Sequence, residues 1–326
     1  MRPPYAITPK LLRLTAEITE LLGRLNGLVI TEPKVTLRRR NRIKTIKSSL
    51  AIEGNTFTEA QITALLDGKK VLGSKKEITE VQNALKLYAN LKSFKPSKIN
   101  DFLSAHGILM QGLIKTAGHW RGANAGVLAG RKVIHIAPKP LFVPKLMLSL
   151  FGWLKNDADT HPLIKSAVAH YEIEFIHPFE DGNGRMGRCW QSVLLTAYHP
   201  VFEYLPIESL IEKKQKQYYQ ILGKCDRLGK STLFIEFMLQ IIQECLSEYA
   251  GQISGAVSTA SDRLAKARAV FRNKYFSRKD YLLLFKIIST ATASRDLQRG
   301  VLQKLLQKTG DKNHTQYKFR KIIHPV

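Results

Sequence analysis

The chain has 326 residues, 44% hydrophobic, 24% charged and 9% aromatic, enough for two or three domains with ordinary cores. No apolar run reaches membrane-spanning length and no signal peptide opens the sequence. The three cysteines (Cys189, Cys225, Cys245) lack ligand spacing, so the expectation is a reduced, cytoplasmic protein without a disulfide frame or zinc site. Lys and Arg outnumber Asp and Glu by 51 to 26, a net +25 that favours anionic partners: nucleotides, nucleic acid or acidic proteins.

In chain order the pattern predicts an almost wholly helical protein. Thr8-Pro9 opens "TPKLLRLTAEITELLGRL", whose apolar residues recur every three or four positions. A helix through "RNRIKTIKSSLAI" breaks at Gly54-Asn55, and Thr58 caps the next, with Gln61 in its first turn. "SKKEITEVQNALKLYANLKSF" and "SKINDFLSAHGILMQGLI" read as two more. "RKVIHIAP" alternates β-branched and polar residues between Gly130 and Pro138, as in a short hairpin or flap. Helices resume from "VPKLMLSLFGWLKN" to "STLFIEFMLQIIQECLSEYA". "GQISGAVSTAS", 251–261, is the best linker candidate. The divisions expected are an N-terminal helical segment over 1–95, a core over 96–250, that linker, and a small domain over 262–326.

The densest chemistry lies in "HPFEDGNGRMGR", residues 177–188, between two apolar runs. Pro178 ends the preceding helix. Gly182-Asn183-Gly184 allows positive φ, and the helix starting near Gly184 offers free N–H groups and a positive dipole end to an anion. Arg185 and Arg188, three apart, share one face of that first turn. Asp181 suits a Mg²⁺ bridging phosphate oxygens, and His177 stands where a neutral imidazole could take a proton from an attacking hydroxyl. Each element alone also suits a plain helix–turn–helix junction; their ordered combination does not. "GKCDRLGKS" (223–231) imitates a phosphate loop, but Gly223 and Gly229 are wrongly spaced and no strand precedes them. His170, Glu174 and His177 share a helical face, yet no further metal ligand is evident and His170 reads as core.

This run resembles the signature of Fic domains at every position, H-P-F-x-D-G-N-G-R-x-G-R. The likeness extends through "SSLAIEGNTF", "GHWR", "HYEIEFIHPF", "YYQIL" and "STLFIEFML". It implies an all-α Fic core with a small β-hairpin flap and a protein adenylyltransferase, moving AMP from ATP to a Ser, Thr or Tyr hydroxyl. By that resemblance His177 is the base, Asp181 holds Mg²⁺, and Gly182, Asn183, Gly184, Arg185, Met186, Gly187 and Arg188 bind ATP. Phe179 anchors the loop in the core, and Tyr218 and Tyr219 sit where relatives contact base or ribose. Val133, Ile134, His135 and Ile136 form the flap that aligns the target. Ser49, Glu53 and Gly54 match the family's inhibitory helix, whose glutamate pairs with the second arginine, Arg188, and obstructs the γ-phosphate. A carboxylate among arginines competes with phosphate for the same donors.

From Gly251 to Val326 there are 16 Lys/Arg against four Asp/Glu. "FSRKDYLLLF", "TATASRDLQRGVLQKLLQKTG" and "DKNHTQYKFRKI" read as helix, capped helix and short basic hairpin with its tip at Gly310–Asn313. The whole resembles a winged helix. Thr292 or Ser294 is the expected cap. Ser294, Arg295, Gln298 and Arg299 would face a DNA groove, with Lys312, Lys318 and Arg320 near phosphates. The expected partners are ATP, a protein target (the chain itself included), double-stranded DNA through the last domain, and no membrane; a homodimer stays open. Two other readings stand beside the transferase. One is a DNA-binding transcriptional regulator with a vestigial core, and the other a hydrolase that removes AMP.

Overall fold

In the computed structural model, residues 3–28, 35–129, 132–256, 259–285, 288–311 and 315–320 are described. The chain divides into two compact units, Met1–Leu22 with Lys34–Ser247 and Gly23–Pro33 with Glu248–Val326. Apart from Gly23–Pro33, the N-terminal segment therefore falls in the same unit as the residues that follow it, without a boundary near 95.

The larger unit is built from most of α1 (Pro9–Leu28, whose end from Gly23 groups with the smaller unit), α2 (Val35–Ile52), α3 (Glu59–Leu66), α4 (Lys75–Ala89) and α5 (Ile99–Leu109). These lead to a hairpin of β1 (Gly126–Ala129) and β2 (Lys132–Ile136), then α6 (Val143–Asn156), α7 (Pro162–Ile176), α8 (Asn183–Tyr198), α9 (Ile207–Lys213), α10 (Gln215–Leu228) and α11 (Thr232–Ala256). Thr58 and Gln61 close a capping box on α3, as the sequence predicts, and Ser74 caps α4. Such caps contribute about 1 kcal/mol each. α2 starts five residues before the predicted "RNRIKTIK" stretch.

α7 explains the apolar flank before the motif. Leu163, Ile164, Ala167, Val168, Tyr171, Ile173 and Ile176 are all buried, so the helix is covered on nearly every side and must lie at the centre. It packs most extensively on α8, and the motif joins the two helix ends. Beneath the junction, Phe179 stacks on His106 (centroids 3.5 Å, 4°) and meets Phe102 and Trp120; Phe102 in turn meets Phe151 and Trp190. Pairing in the hairpin is antiparallel, Gly126 opposite Ile136, with an irregularity between Val127 and Leu128.

The predicted linker is helix for its first half: α11 continues through Ala256, and α12 (Ala260–Phe271) begins with Thr259 as its cap. A helix already five turns long adds residues at little cost, so two glycines do not end it. Next come β3 (Phe276–Ser277), α13 (Arg278–Leu284), α14 (Thr290–Leu302), β4 (Leu306–Thr309) and β5 (Gln316–Phe319), with strand order β3-β5-β4, all antiparallel. Leu264, Ala267, Phe276, Tyr281, Ala293, Leu297 and Leu306 form the core of this smaller unit. Ser289, rather than Thr292 or Ser294, caps α14. Gly300, awkward within a predicted helix, is where Leu306 and Leu264 press in; a Cβ there would lie 2.7 Å from Leu306 Cδ1. No described helix is long and apolar enough to cross a membrane.

Candidate active site

His177 closes α7 in the left-handed region (φ 51°, ψ 59°), a conformation that costs a non-glycine residue energy unless its surroundings impose it. Arg121 imposes it. Its side chain, almost fully buried, donates from Nε to His177 O (2.7 Å), from Nη1 to Ala123 O (2.7 Å) and from Nη2 to Pro138 O (2.5 Å), while its backbone N–H donates to Pro178 O (3.0 Å). One guanidinium thus ties the end of α7 to the segment leaving β2. The His177 Nδ1 makes a long 3.4 Å contact with Glu174 O, and Nε2 has no partner among the described residues. Burial lowers the imidazole pKa against a smaller opposing pull from Glu174, so the ring is neutral near pH 7.

The loop after it is stapled. Asn183 Oδ1 accepts from Phe179 N–H and its Nδ2 donates to Phe179 O, both at 2.9 Å. His106 supports the other side: Nδ1 accepts from Gly118 N–H (2.9 Å), so Nε2 carries the proton and donates to Asp181 O (3.0 Å). Burial holds that ring neutral, with its pKa at about 4. Gly182, at φ 85°, is the N-cap of α8, with no side-chain cap. The first-turn N–H groups of α8 therefore lack intrahelical partners and face the loop as an anion site.

Two arginines follow, and each is held by acids. Arg185 meets Glu80 (Nη1–Oε1, 3.4 Å) and Asp181 (Nη2–Oδ1, 3.1 Å), while its buried Nε has no partner among the described residues. Arg188 donates to Ser49 Oγ (3.2 Å), Ser49 O (3.0 Å) and Glu53 Oε1 (2.7 Å). Burial works against its charge, but Glu53, Tyr218 and Glu174 outweigh it and raise its pKa. The Glu53 carboxylate lies over the anion site itself: a Cβ on Gly184 would sit 2.5 Å from Glu53 Oε1. Gly54, at φ 90°, turns the chain away after it. Asn55 Nδ2 then donates to Glu80 Oε2 (2.9 Å), so α2's end reaches both arginines, one directly and one through Glu80.

Several expected contacts are different. Asn183 binds backbone with its side chain and offers an anion only its N–H. Met186 is fully buried, and Gly187 faces His170 and Glu174, 2.8 and 3.0 Å from where a Cβ would be, so neither presents a side to a nucleotide. Tyr218 is core: its hydroxyl lies 3.0 Å from His170 Nε2 and donates to Glu174 Oε1 (3.1 Å). Tyr219 does line a cavity, with His135, Glu174, Phe175, Leu222 and Asp226. His135 turns inward and holds the flap down, with Nδ1 2.8 Å from Asp226 Oδ2 and Nε2 2.8 Å from Phe175 O. Two oxygen acceptors require both nitrogens protonated. Burial opposes that charge, but Asp226 outweighs it, and the pKa is raised. Val133 and Ile134 lie on β2, their side chains outside the described residues, and Ile136 is exposed.

Asp181 is half exposed, with Oδ1 taken by Gly182 N–H (2.6 Å) and Arg185. Among the described residues no group of three or more His, Cys, Asp or Glu converges. One carboxylate with an oxygen to spare beside an anion site still fits Mg²⁺, which keeps several waters and takes its other ligands from phosphates.

In the smaller unit, Arg295, Gln298 and Arg299 are exposed on α14, Ser294 accepts from Arg278 (3.1 Å), and the Lys318 ammonium lies over the Tyr275 ring (4.9 Å). Lys312 lies outside the described residues.

Residues 96–195 match the Fic/DOC family. The structure superposes on a Fic family protein from Desulfovibrio desulfuricans G20 over the whole of both chains, with 37% identity and a TM-score of 0.75. The chain belongs to the Fic/DOC family. Its fold is also that of Fic-1 from C. elegans (21% identity, TM-score 0.62, 76% of this chain and 73% of that one). Curated relatives named protein adenylyltransferase Fic include those of Culex quinquefasciatus and Nematostella vectensis. They are 31% and 26% identical, over 64% and 74% of this chain. This Fic/DOC chain spans 41% and 57% of those relatives' lengths. Arg121, His106, Glu80 and Asn55 are the site residues that sequence reasoning gave no role. Of these, only Arg121 and Asn55 lay in segments carrying the likeness.

Proposed function

We propose that this protein is an adenylyltransferase that moves AMP from ATP to a hydroxyl of a protein, restrained by Glu53. The observation that carries the reading is the Glu53 carboxylate seated at the uncapped start of α8 and bonded to Arg188, with a neutral His177 at the other end of the same loop. An anion site already filled by the chain's own anion is a phosphate site under restraint.

With Glu53 withdrawn, the first-turn N–H groups of α8, Arg188 and the unmet Nε of Arg185 would hold the phosphates, and the cavity beside Tyr219 the nucleoside. Asp181 would hold Mg²⁺, which neutralises phosphate charge and fixes the phosphates' orientation. His177 Nε2 takes the proton of the acceptor hydroxyl as its oxygen bonds to the α-phosphorus. The α–β anhydride bond breaks and pyrophosphate leaves with the electron pair. Arg121 keeps the imidazole aimed by holding its backbone.

His177→Ala tests the base. A positioned base contributes ~10²–10⁴-fold in rate. The variant should lose AMP transfer by that factor while binding ATP as before, and parental labelling rates would remove the assignment.

A second reading adds to the first without replacing it: the smaller unit is a winged helix that binds DNA. Its element order, the exposed Arg295, Gln298 and Arg299 on α14, and the excess of basic residues support it.

A further inference from the structure

We propose that Glu208, buried behind Arg188, is a positioning residue for phosphate binding. It fixes the guanidinium through a line of hydrogen bonds over Tyr88 and Ser49, so that Nη1 keeps facing the anion site when Glu53 leaves. The inference rests on the AMP-transfer reading above and names what aims its phosphate-binding arginine.

Four helices meet behind the site. Glu208 on α9 is 1% exposed, and Tyr88 on α4, Ser49 on α2 and Arg188 on α8 are buried with it. Glu208 Oε1 accepts from the Tyr88 hydroxyl (3.3 Å) and from Ser192 Oγ (3.2 Å), and Tyr88 is also hydrogen-bonded to Ser49. Counting donors fixes the direction of the line. Arg188 Nε can only donate, so Ser49 Oγ accepts from it (3.2 Å). The single Ser49 hydroxyl proton is then free for Tyr88 Oη, whose own proton points to Glu208. Glu208 Oε2 has no partner among the described residues, so a proton taken there leaves that direction unchanged.

A buried acid with one oxygen unmet costs stability, and an apolar side chain would fill the place at less cost. Burial pushes the Glu208 carboxyl up to about 7, against the pull of Arg188, Ser192 and Tyr88. The neighbouring Cys189 is raised by burial first and by Glu208 second, and stays an uncharged thiol. What the acid adds is direction. Arg188 is gripped at its rear by Ser49, through Nε and through Nη2 to Ser49 O (3.0 Å). Its Nη1 lies 3.2 Å from where a Cβ on Gly184 would sit, at the start of α8. Glu53 bonds to Nη2 (2.7 Å), so its departure breaks that bond and leaves the rear grip in place. Two acids thus act on one arginine, one across its front and one through its back.

The test uses the full-length Glu53→Gly protein, titrated with an ATP analogue carrying a methylene at the α–β bridge. Tyr88→Phe, which removes one hydroxyl and little volume, should weaken binding on the order of tenfold. Glu208→Leu should do the same, and Glu208→Gln, which still accepts from Tyr88, should lose less. With Arg188→Ala already present, Tyr88→Phe should weaken binding no further, since no guanidinium is left to aim. In AMP transfer, Tyr88→Phe should raise KM for ATP more than it lowers kcat. Losses that add to that of Arg188→Ala, or a lowered unfolding midpoint at unchanged affinity, would make the network structural and overturn the inference. Equal affinity with and without Arg188 would overturn it as well. The expected pattern in a protein that transfers no AMP, self-labelling included, would overturn the functional reading and leave the arginine's positioning standing.

Discussion

Two buried arginine–carboxylate pairs sit in the two units and are built differently. In the smaller unit Arg263 grips Asp296 with two parallel bonds, Nε–Oδ2 at 2.5 Å and Nη2–Oδ1 at 2.8 Å. Asp296 also accepts from the Tyr281 hydroxyl (3.2 Å), and both side chains are under 10% exposed. In the larger unit Arg188 is buried, but Glu53 is 33% exposed and contributes a single bond, the other donors going to Ser49. A closed fork between two buried partners fixes structure. A one-armed pair, open to solvent on the acid side and lying across helix N–H groups, is one that another anion can replace.

The largest expected effect breaks the fixed pair. Asp296→Ala would strand a buried guanidinium, a loss of about 3–5 kcal/mol. Calorimetry should show the smaller unit unfolding far earlier, with AMP transfer intact; a loss below about 1 kcal/mol would mean that water reaches Arg263.

Glu53→Gly should do the reverse. Surface-accessible acids contribute little, about 0–1 kcal/mol, so unfolding should shift slightly while self-labelling rises on the order of tenfold or more. Arg188→Ala should stay poorly active even with Glu53 also removed, because the phosphate then lacks its partner. A well-folded Glu53→Gly protein that labels no faster would reduce this pair to a structural one.

A smaller effect separates Arg263 from the exposed Arg299. If α14 meets DNA, Arg299→Ala in the full chain should weaken duplex binding and lower the salt slope by roughly one. No binding by the parent even at low salt would end that reading.

The smallest effect is a pH window set by two histidines. His177, with its pKa lowered, stays deprotonated below the usual imidazole range, so the acid limb of the rate lies there. His135 has a raised pKa, so the flap's tie to Asp226 is complete below about 6.5 and is lost as pH rises through that raised value. Amide protection in 126–136, corrected for the base-catalysed exchange of a free chain, should therefore fall on the alkaline side, and His135→Gln should lower it on the acid side, where the parent's tie is complete. Protection that is flat with pH in the parent would mean that His135 is not charged there.

Much of this was legible in the residues. The helical periodicity, the flap, the Thr58 capping box and the Glu53–Arg188 contact all follow from short-range pattern or from the family likeness. What stayed hidden depends on where side chains point once helices meet. Tyr218 and Tyr219 are neighbours in an aromatic pair, yet α10's rotation sends one into the core and the other to a cavity. His135 alternates correctly for a strand but turns to Asp226, ninety-one positions away. Arg121 showed no periodicity of its own, and Gly251 and Gly255 misled because a long helix can absorb them.

The Asn183 staple has a consequence for how such a protein is switched. Two hydrogen bonds between one amide and the Phe179 backbone hold the loop's shape with no ligand present, so on the proposed reading the mould for phosphate is complete before a nucleotide arrives. The ordering entropy is already lost, and binding need not supply it. On the proposed reading, turning the protein on requires no refolding of the loop, only the departure of the Glu53 carboxylate. On that reading two anions would contend for a single rigid seat, and the pace of activation would be the lifetime of the one already in it.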